Sequence, residues 1–428
     1  QDEVSCLLAL HSSETVSIEH APFISNLVQQ RGAALSAGAS IGAWTLEREL
    51  GEGGMGSVWL ARRSNATFHQ FAAIKVIRGI ASATLLARLR SERQALAALN
   101  HRNIAHLIDG GETPDGAPYI VMEYIDGQPI DEWCRSRKLD ARACLQLMMQ
   151  LVDAVAHAHE HLLVHRDIKP SNVLVTAEGQ VKLLDFGVSK LLAPDGDALA
   201  ATEFGDRALT PEYASPEQVQ GGPITVATDV YGLGATLYRI LTGNSPFGGV
   251  ERDAYALLKA VVEEAPTRVS LTMRQSRTKA ANLRRENWHA LIGDVDTILA
   301  KALAKDPVDR YGTVDALGRD IQAHLDGYPI AAQPPTWRYV AWKFIRRNRL
   351  ASAAVAAAAL SLVVGLIAAL HQANVANIQR DLARSEQERA TAALKIAEQE
   401  RARATRALVN EQLERNAAVA ATAALRSS

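Results

Sequence analysis

The sequence predicts an α+β chain in which strands come first and helices follow, closed by one apolar helix and a second, charged helical stretch. Three observations carry this. From Ile41 onward, strand-like residues alternate around a glycine cluster. Apolar residues at helical spacing fill 141–163. Leu350 to Leu370 then runs for 21 residues without a charge. At 428 residues the chain exceeds one ordinary domain, so two or three units are expected. Its 46 basic and 47 acidic residues nearly cancel, so no global field argues for nucleic acid as a partner.

Residues 1–40 hold Gly32, Gly38 and only short apolar clusters such as Cys6 to Leu10, which is too short for a signal-peptide core and lacks a basic lead. A poorly ordered extension is expected, with one short helix near Phe23 to Gln30. The chain opens on Gln1, consistent with a fragment or processed form. Cys6, Cys134 and Cys144 have no metal-like spacing and read as reduced thiols in a cytosolic setting.

The glycine cluster reads Leu50-Gly51-Glu52-Gly53-Gly54-Met55-Gly56-Ser57-Val58. Such a turn between strands lets backbone N–H groups approach phosphates, because no Cβ intervenes. Dinucleotide-binding folds share the spacing, but Val58-Trp59-Leu60 reads as a second strand rather than a helix, and Ala73-Ile74-Lys75 closes a third. In the next helix Leu85, Leu89, Leu96 and Leu99 form a stripe that includes Glu92, and a carboxylate turned to the core needs a cation. Lys75 is the candidate. Pro118 to Ile125 is an apolar strand running into a turn at Gly127.

The densest chemistry follows the 141–163 helix. His165-Arg166-Asp167 is followed by Lys169, by Asn172 five residues after the aspartate, and then by Asp185-Phe186-Gly187. A carboxylate to accept a hydroxyl proton, and oxygen ligands for magnesium, are what phosphoryl transfer requires. His157, His159 and His161 lack a third ligand in reach by sequence, and read as solvated or capping histidines.

With these motifs in this order, the chain resembles the protein kinases, in particular the membrane-anchored serine/threonine kinases of bacteria. Lys169-Pro170 resembles the serine/threonine branch. The resemblance implies a bilobal fold over 41–327, with an N-lobe (41–122) and a C-lobe (127–327), and ATP with Mg²⁺, or Mn²⁺ in its place, between them. It implies Asp167 as base, Lys75 and Lys169 on the phosphates, Glu92 paired with Lys75, and Asn172 and Asp185 on the metal. Leu50, Gly51, Gly53, Gly54 and Gly56 would form the phosphate loop. Val58 and Ala73 would cover the base from above and Leu174 from below. Met122 would gate the pocket, and backbone groups of Glu123 and Ile125 would bond the adenine edge.

The same resemblance makes Thr210 a partner of Asp167 and Lys169, and Asp229 an acceptor for catalytic-loop N–H groups. It pairs Glu217, in a loop with Ser215 where alanine is usual, with Arg310. Phosphorylation of Thr202, paired with Arg166, is the expected switch, and a homodimer the expected setting for autophosphorylation. The basic residues of 268–285 read as a solvated insertion.

Pro329, Pro334 and Pro335 mark a linker, and 328–349 is basic and aromatic. The uncharged 350–370 stretch is long enough to span a bilayer as one helix. Basic residues before it and none immediately after predict a cytoplasmic kinase at the bacterial inner membrane, with 371–428 outside as a helical stalk. Protein Ser/Thr hydroxyls are the expected substrates. A pseudokinase scaffold is the rival from another class, but it would lack Lys75, Asp167, Asn172 or Asp185, and all four are present.

Overall fold

The computed structural model describes residues 35–53, 56–64, 70–77, 97–186, 210–248, 252–275 and 293–426. Six strands come first: β1 (Ser40–Ile41), β2 (Trp44–Gly53), β3 (Gly56–Arg63), β4 (Phe71–Ile77), β5 (Leu107–Glu112) and β6 (Pro118–Glu123). They pair antiparallel in the order β1-β2-β3-β4-β6-β5. Because side chains alternate across a strand, each strand divides its residues between two faces. Trp59, Ala61, Ala72, Ile74 and Val121 pack with Trp44, Leu46 and Tyr119 into the core of this sheet. The pairings Val58 with Lys75, Leu60 with Ala73, and Ala73 with Met122 put those residues together on the other face. One period-2 pattern thus makes both a core and a polar-lipped roof.

The chain then crosses at residues 124–126 into a second, three-stranded sheet of β7 (Gly127–Pro129), β8 (Val173–Thr176) and β9 (Val181–Leu183). The helices of this lobe are α1 (Ile130–Ser136), α2 (Ala141–Glu160), α3 (Pro216–Gln220), α4 (Val226–Thr242), α5 (Ala254–Glu263), α6 (Val269–Gln275), α7 (Asp294–Ala302) and α8 (Val314–Leu325). The polar residue before a helix starts several of them. The Asp140 side chain accepts from Ala143 N, Thr225 from Ala227 N, and Thr313 from Ala316 N. Each such cap contributes about 1 kcal/mol. α4 is buried along nearly its whole length, and α2, α7 and α8 pack around it in one core. Gly232 lets the backbone near Ile168 lie directly on α4, since a Cβ there would sit 3.1 Å from Ile168 Cβ.

β9 is also bonded to the chain leading into β5. Leu183 N donates to Asn103 O (2.8 Å), Ala105 N donates to Leu183 O (2.9 Å), and Asn103 Nδ2 donates to Val181 O (2.7 Å). Cys134 and Cys144 are buried free thiols. The Phe23 to Gln30 helix, the 85–96 stripe and most of the basic 268–285 stretch lie outside the described residues.

Beyond Gly327, where φ is +75°, the chain keeps contact with the helices before it. The stretch that its prolines mark as a linker becomes helical at α9 (Trp337–Arg347). Tyr339 Oη donates to Asp294 Oδ1 (2.9 Å), Lys343 Nζ bonds Asp294 Oδ2, and His324 Nδ1 meets the same oxygen at 2.9 Å. Asp320 accepts from Ala331 N and Ala332 N. These contacts fall within the first of two compact units, Gln1–Lys343 and Phe344–Ser428. The second is dominated by α10 (Arg349–Arg426), a single helix whose 350–370 portion leaves Leu360, Leu362, Leu366 and Ile367 exposed.

Candidate active site

The glycine hairpin joins β2 to β3 with Gly53 opposite Gly56 and Glu52 opposite Ser57. Gly56 has φ +146°, and a Cβ on it would fall 1.9 Å from Val76 O. Only glycine fits there, because both the backbone angle and the neighbouring strand exclude a side chain. Gly54 lies outside the described residues, while Leu50 and Gly51 lie on β2 at the mouth of the hairpin.

Lys75 on β4 places its ammonium against Asp185 Oδ2, two residues beyond β9. Asp185 itself has φ +46°, a left-handed conformation uncommon for a residue with a side chain and one that turns its carboxylate toward the roof strand. Glu92 lies outside the described residues.

The catalytic-loop candidates converge on one carboxylate. Asp167 Oδ2 lies 3.0 Å from Lys169 Nζ and accepts from Asn172 Nδ2 at 3.0 Å, and Asn172 Nδ2 also reaches Asp167 O at 2.8 Å. Lys169 Nζ donates in turn to Thr210 Oγ1 at 3.2 Å. The loop is held from beneath by Asp229, which is buried at the start of α4 and accepts from His165 N and Arg166 N, both at 2.8 Å. Arg166 sits at φ +67°, a conformation that these bonds maintain. His165 accepts from Asp167 N through Nδ1 (3.3 Å) and donates to Leu184 O through Nε2 (2.8 Å), which ties the loop to the chain before Asp185. Its ring meets Phe186 with centroids 4.9 Å apart.

A second anchor lies beside the loop. Arg310 is fully buried and bonds Glu217 through both terminal nitrogens, Nη1 at 2.8 Å and Nη2 at 2.7 Å. Thr228 Oγ1 donates to Glu217 Oε1 at 2.8 Å, and Arg310 also reaches the carbonyls of Ala227, Ala304 and Lys305. Burial pushes the Glu217 carboxyl up, but the Arg310 guanidinium and neighbouring donors outweigh it and hold the group below its ordinary value.

Around the cleft, Met122 and Glu123 end β6, Ile125 lies in the crossing, and Leu174 lies on β8. Glu123 N donates to His106 O at 2.8 Å, which ties the end of β6 to the chain entering β5. Asn172 turns Nδ2 to Asp167, so its amide oxygen is the atom it can offer a cation. With the Asp185 carboxylate, that is an all-oxygen donor set suited to a hard divalent ion. Thr202 lies outside the described residues.

The arrangement pairs a fixed carboxylate with cations and oxygen donors under a glycine hairpin. The family described as protein kinase domain matches residues 44–320. The chain belongs to the protein kinase family. The family uses ATP, a divalent metal and protein substrates. The serine/threonine-protein kinase PrkC of Bacillus subtilis is 34% identical over 289 residues, covering 67% of this chain and 41% of that protein. The serine/threonine-protein kinase PknB of Mycobacterium tuberculosis is 33% identical over 286 residues, covering 65% of this chain and 42% of that protein. The chain thus spans about two fifths of the length of these relatives. A double mutant of the PknI kinase domain from Mycobacterium tuberculosis superposes with a TM-score of 0.52 at 23% identity, covering 68% of this chain and all of that one. That likeness supports the kinase fold alone.

Two residues of this kinase cleft escape sequence reasoning. Gln218 Nε2 donates to Arg166 O at 2.7 Å while its Oε1 accepts from Ser215 N, closing a capping box on α3. Ser215-Pro216-Glu217-Gln218 carries that signal, because Ser followed by Gln three residues later reads as a helix start. His159, which reads as solvated or capping from sequence, instead bonds Asp229 Oδ2 at 2.7 Å and is only 11% exposed. The pairing spans 70 residues, and nothing local signals it.

Proposed function

We propose that this chain is an ATP-dependent serine/threonine protein kinase that transfers the γ-phosphoryl group to protein hydroxyls. The observation that carries the reading is the convergence of Asp167, Lys169, Asn172 and Thr210 below the Lys75–Asp185 pair. In this reading Asp167 orients the substrate hydroxyl and accepts its proton as the hydroxyl oxygen attacks the γ-phosphorus and ADP departs. Lys169, fixed between Asp167 and Thr210, meets the transferring phosphoryl group. Lys75 holds the phosphates nearer the base, in partnership with Glu92. Asn172 and Asp185 would hold magnesium, or manganese in its place, and the ion would neutralise charge on the phosphates. Val58, Ala73, Met122 and Leu174 line the base, and backbone groups of Glu123 and Ile125 bond its edge.

Thr202 is the activating phosphosite in this reading, and its phosphate pairs with Arg166. A homodimer would bring one copy's segment to another's cleft. Incubating the chain with labelled ATP and a generic basic protein should label Ser and Thr only when magnesium is present, and mass mapping should place a phosphate on Thr202. Nucleotide binding without any labelling would leave a scaffold and sink the reading.

The 350–370 stretch supports a single membrane span, since it is uncharged, long enough and exposed along its length. Arg346, Arg347 and Arg349 precede it and support a topology with the kinase on the cytoplasmic side of the bacterial inner membrane and 371–428 outside. Protease added to cells with a permeable outer layer and a sealed inner membrane should trim 371–428 and spare the kinase. Digestion of the kinase with the stalk intact would reverse the topology.

A further inference from the structure

Lys182 belongs to no motif. It lies on β9 opposite Leu174 of β8, so the two side chains share a face, while Val181 and Leu183 on either side are buried in the core. Its side chain is only 13% exposed, so the aliphatic stem lies along the cleft floor that Leu174 begins. At its tip Nζ lies 3.0 Å from both carboxylate oxygens of Glu123. Glu123 is the last residue of β6, and the chain passes from there through 124–126 into the other sheet. Its Oε2 also accepts from His106 N at 3.1 Å.

We propose that Lys182 is a positioning residue for the nucleotide base: it fastens Glu123, and with it the base-bonding backbone at the end of β6, to the strand pair that forms the cleft floor. The proposal rests on the cleft being an ATP site. The bridge joins the two sheets beside their covalent crossing, so the spacing between roof and floor is set by an ion pair as well as by the chain. Removing the ammonium frees that spacing without touching Asp167 or the metal donors. Nucleotide capture should therefore suffer while the chemical step is preserved.

The test compares the full chain with Lys182→Met, Lys182→Arg, Glu123→Gln and the Lys182→Met/Glu123→Gln double variant. Lys182→Met is expected to raise KM for ATP about five- to tenfold, as loss of one partly shielded ion pair would, with kcat within about twofold. Lys182→Arg should recover most of the affinity, and the double variant should be no worse than the worse single one. An unchanged KM in Lys182→Met and Glu123→Gln would overturn the proposal. So would strictly additive losses, or parallel loss of kcat and thermal stability that arginine does not rescue. Absence of ATP binding by the unaltered chain would instead remove the ATP-site reading, and this proposal with it.

Discussion

Asp167→Asn is expected to lower phosphoryl transfer roughly 10²- to 10⁴-fold, the usual contribution of a positioned general base. The substitution keeps shape and hydrogen-bonding capacity but supplies an amide that cannot take a proton. Affinity for ATP should stay near that of the unaltered chain, since the roof residues and Lys75 stand on other strands. Lys169 loses its anionic partner at 3.0 Å but keeps Thr210 at 3.2 Å, so the loop has a remaining tie. Single-turnover kinetics together with nucleotide titration would separate the two effects. Equal loss of binding and turnover would assign Asp167 to nucleotide capture instead.

Arg310→Met is expected to produce the largest loss of stability. The guanidinium is fully buried, and removing it strands the Glu217 carboxylate and three carbonyls at once. Breaking one side of a buried pair costs about 3–5 kcal/mol. For a lobe of this size that lowers the unfolding midpoint by on the order of 10 °C. Because the Glu217 carboxyl is held below its ordinary value of 4.5, the pair stabilises the fold above that pH, and the contribution disappears as pH falls through the depressed value. The penalty of Arg310→Met should therefore shrink on acidification. Glu217→Gln/Arg310→Met should recover part of the loss at neutral pH. Thermal scans across pH measure both, and a penalty that does not vary with pH would mean that the packing of Arg310, not its charge, is what matters.

The cleft was legible in sequence where its chemistry is local. His165 to Asn172 and Asp185-Phe186 are short segments whose spacing alone brings their groups together, and the glycine hairpin carries its turn geometry in its composition. Asp229 and the Glu217–Arg310 pair lie far apart in sequence, and only the family resemblance reached them. Lys182 and His159 were not legible, because their partners lie 59 and 70 residues away and a lysine or histidine on an element surface has many equivalent fates. The contacts of α9 were hidden for a related reason. Pro329, Pro334 and Pro335 before it announce a break, while Tyr339 and Lys343 find Asp294 45 and 49 residues back in the chain.

The bonding of β9 to residues 103–105 has a mechanical consequence. Leu183 is tied through both its N–H and its carbonyl, and Asp185 stands two residues farther along the same chain. A pull on the backbone around Asn103 is thus delivered to Asp185 through short, directional bonds with little slack. The position of Asp185 therefore depends on two stretches of chain about eighty residues apart, so a change that loosens Asn103 should loosen Asp185 with it.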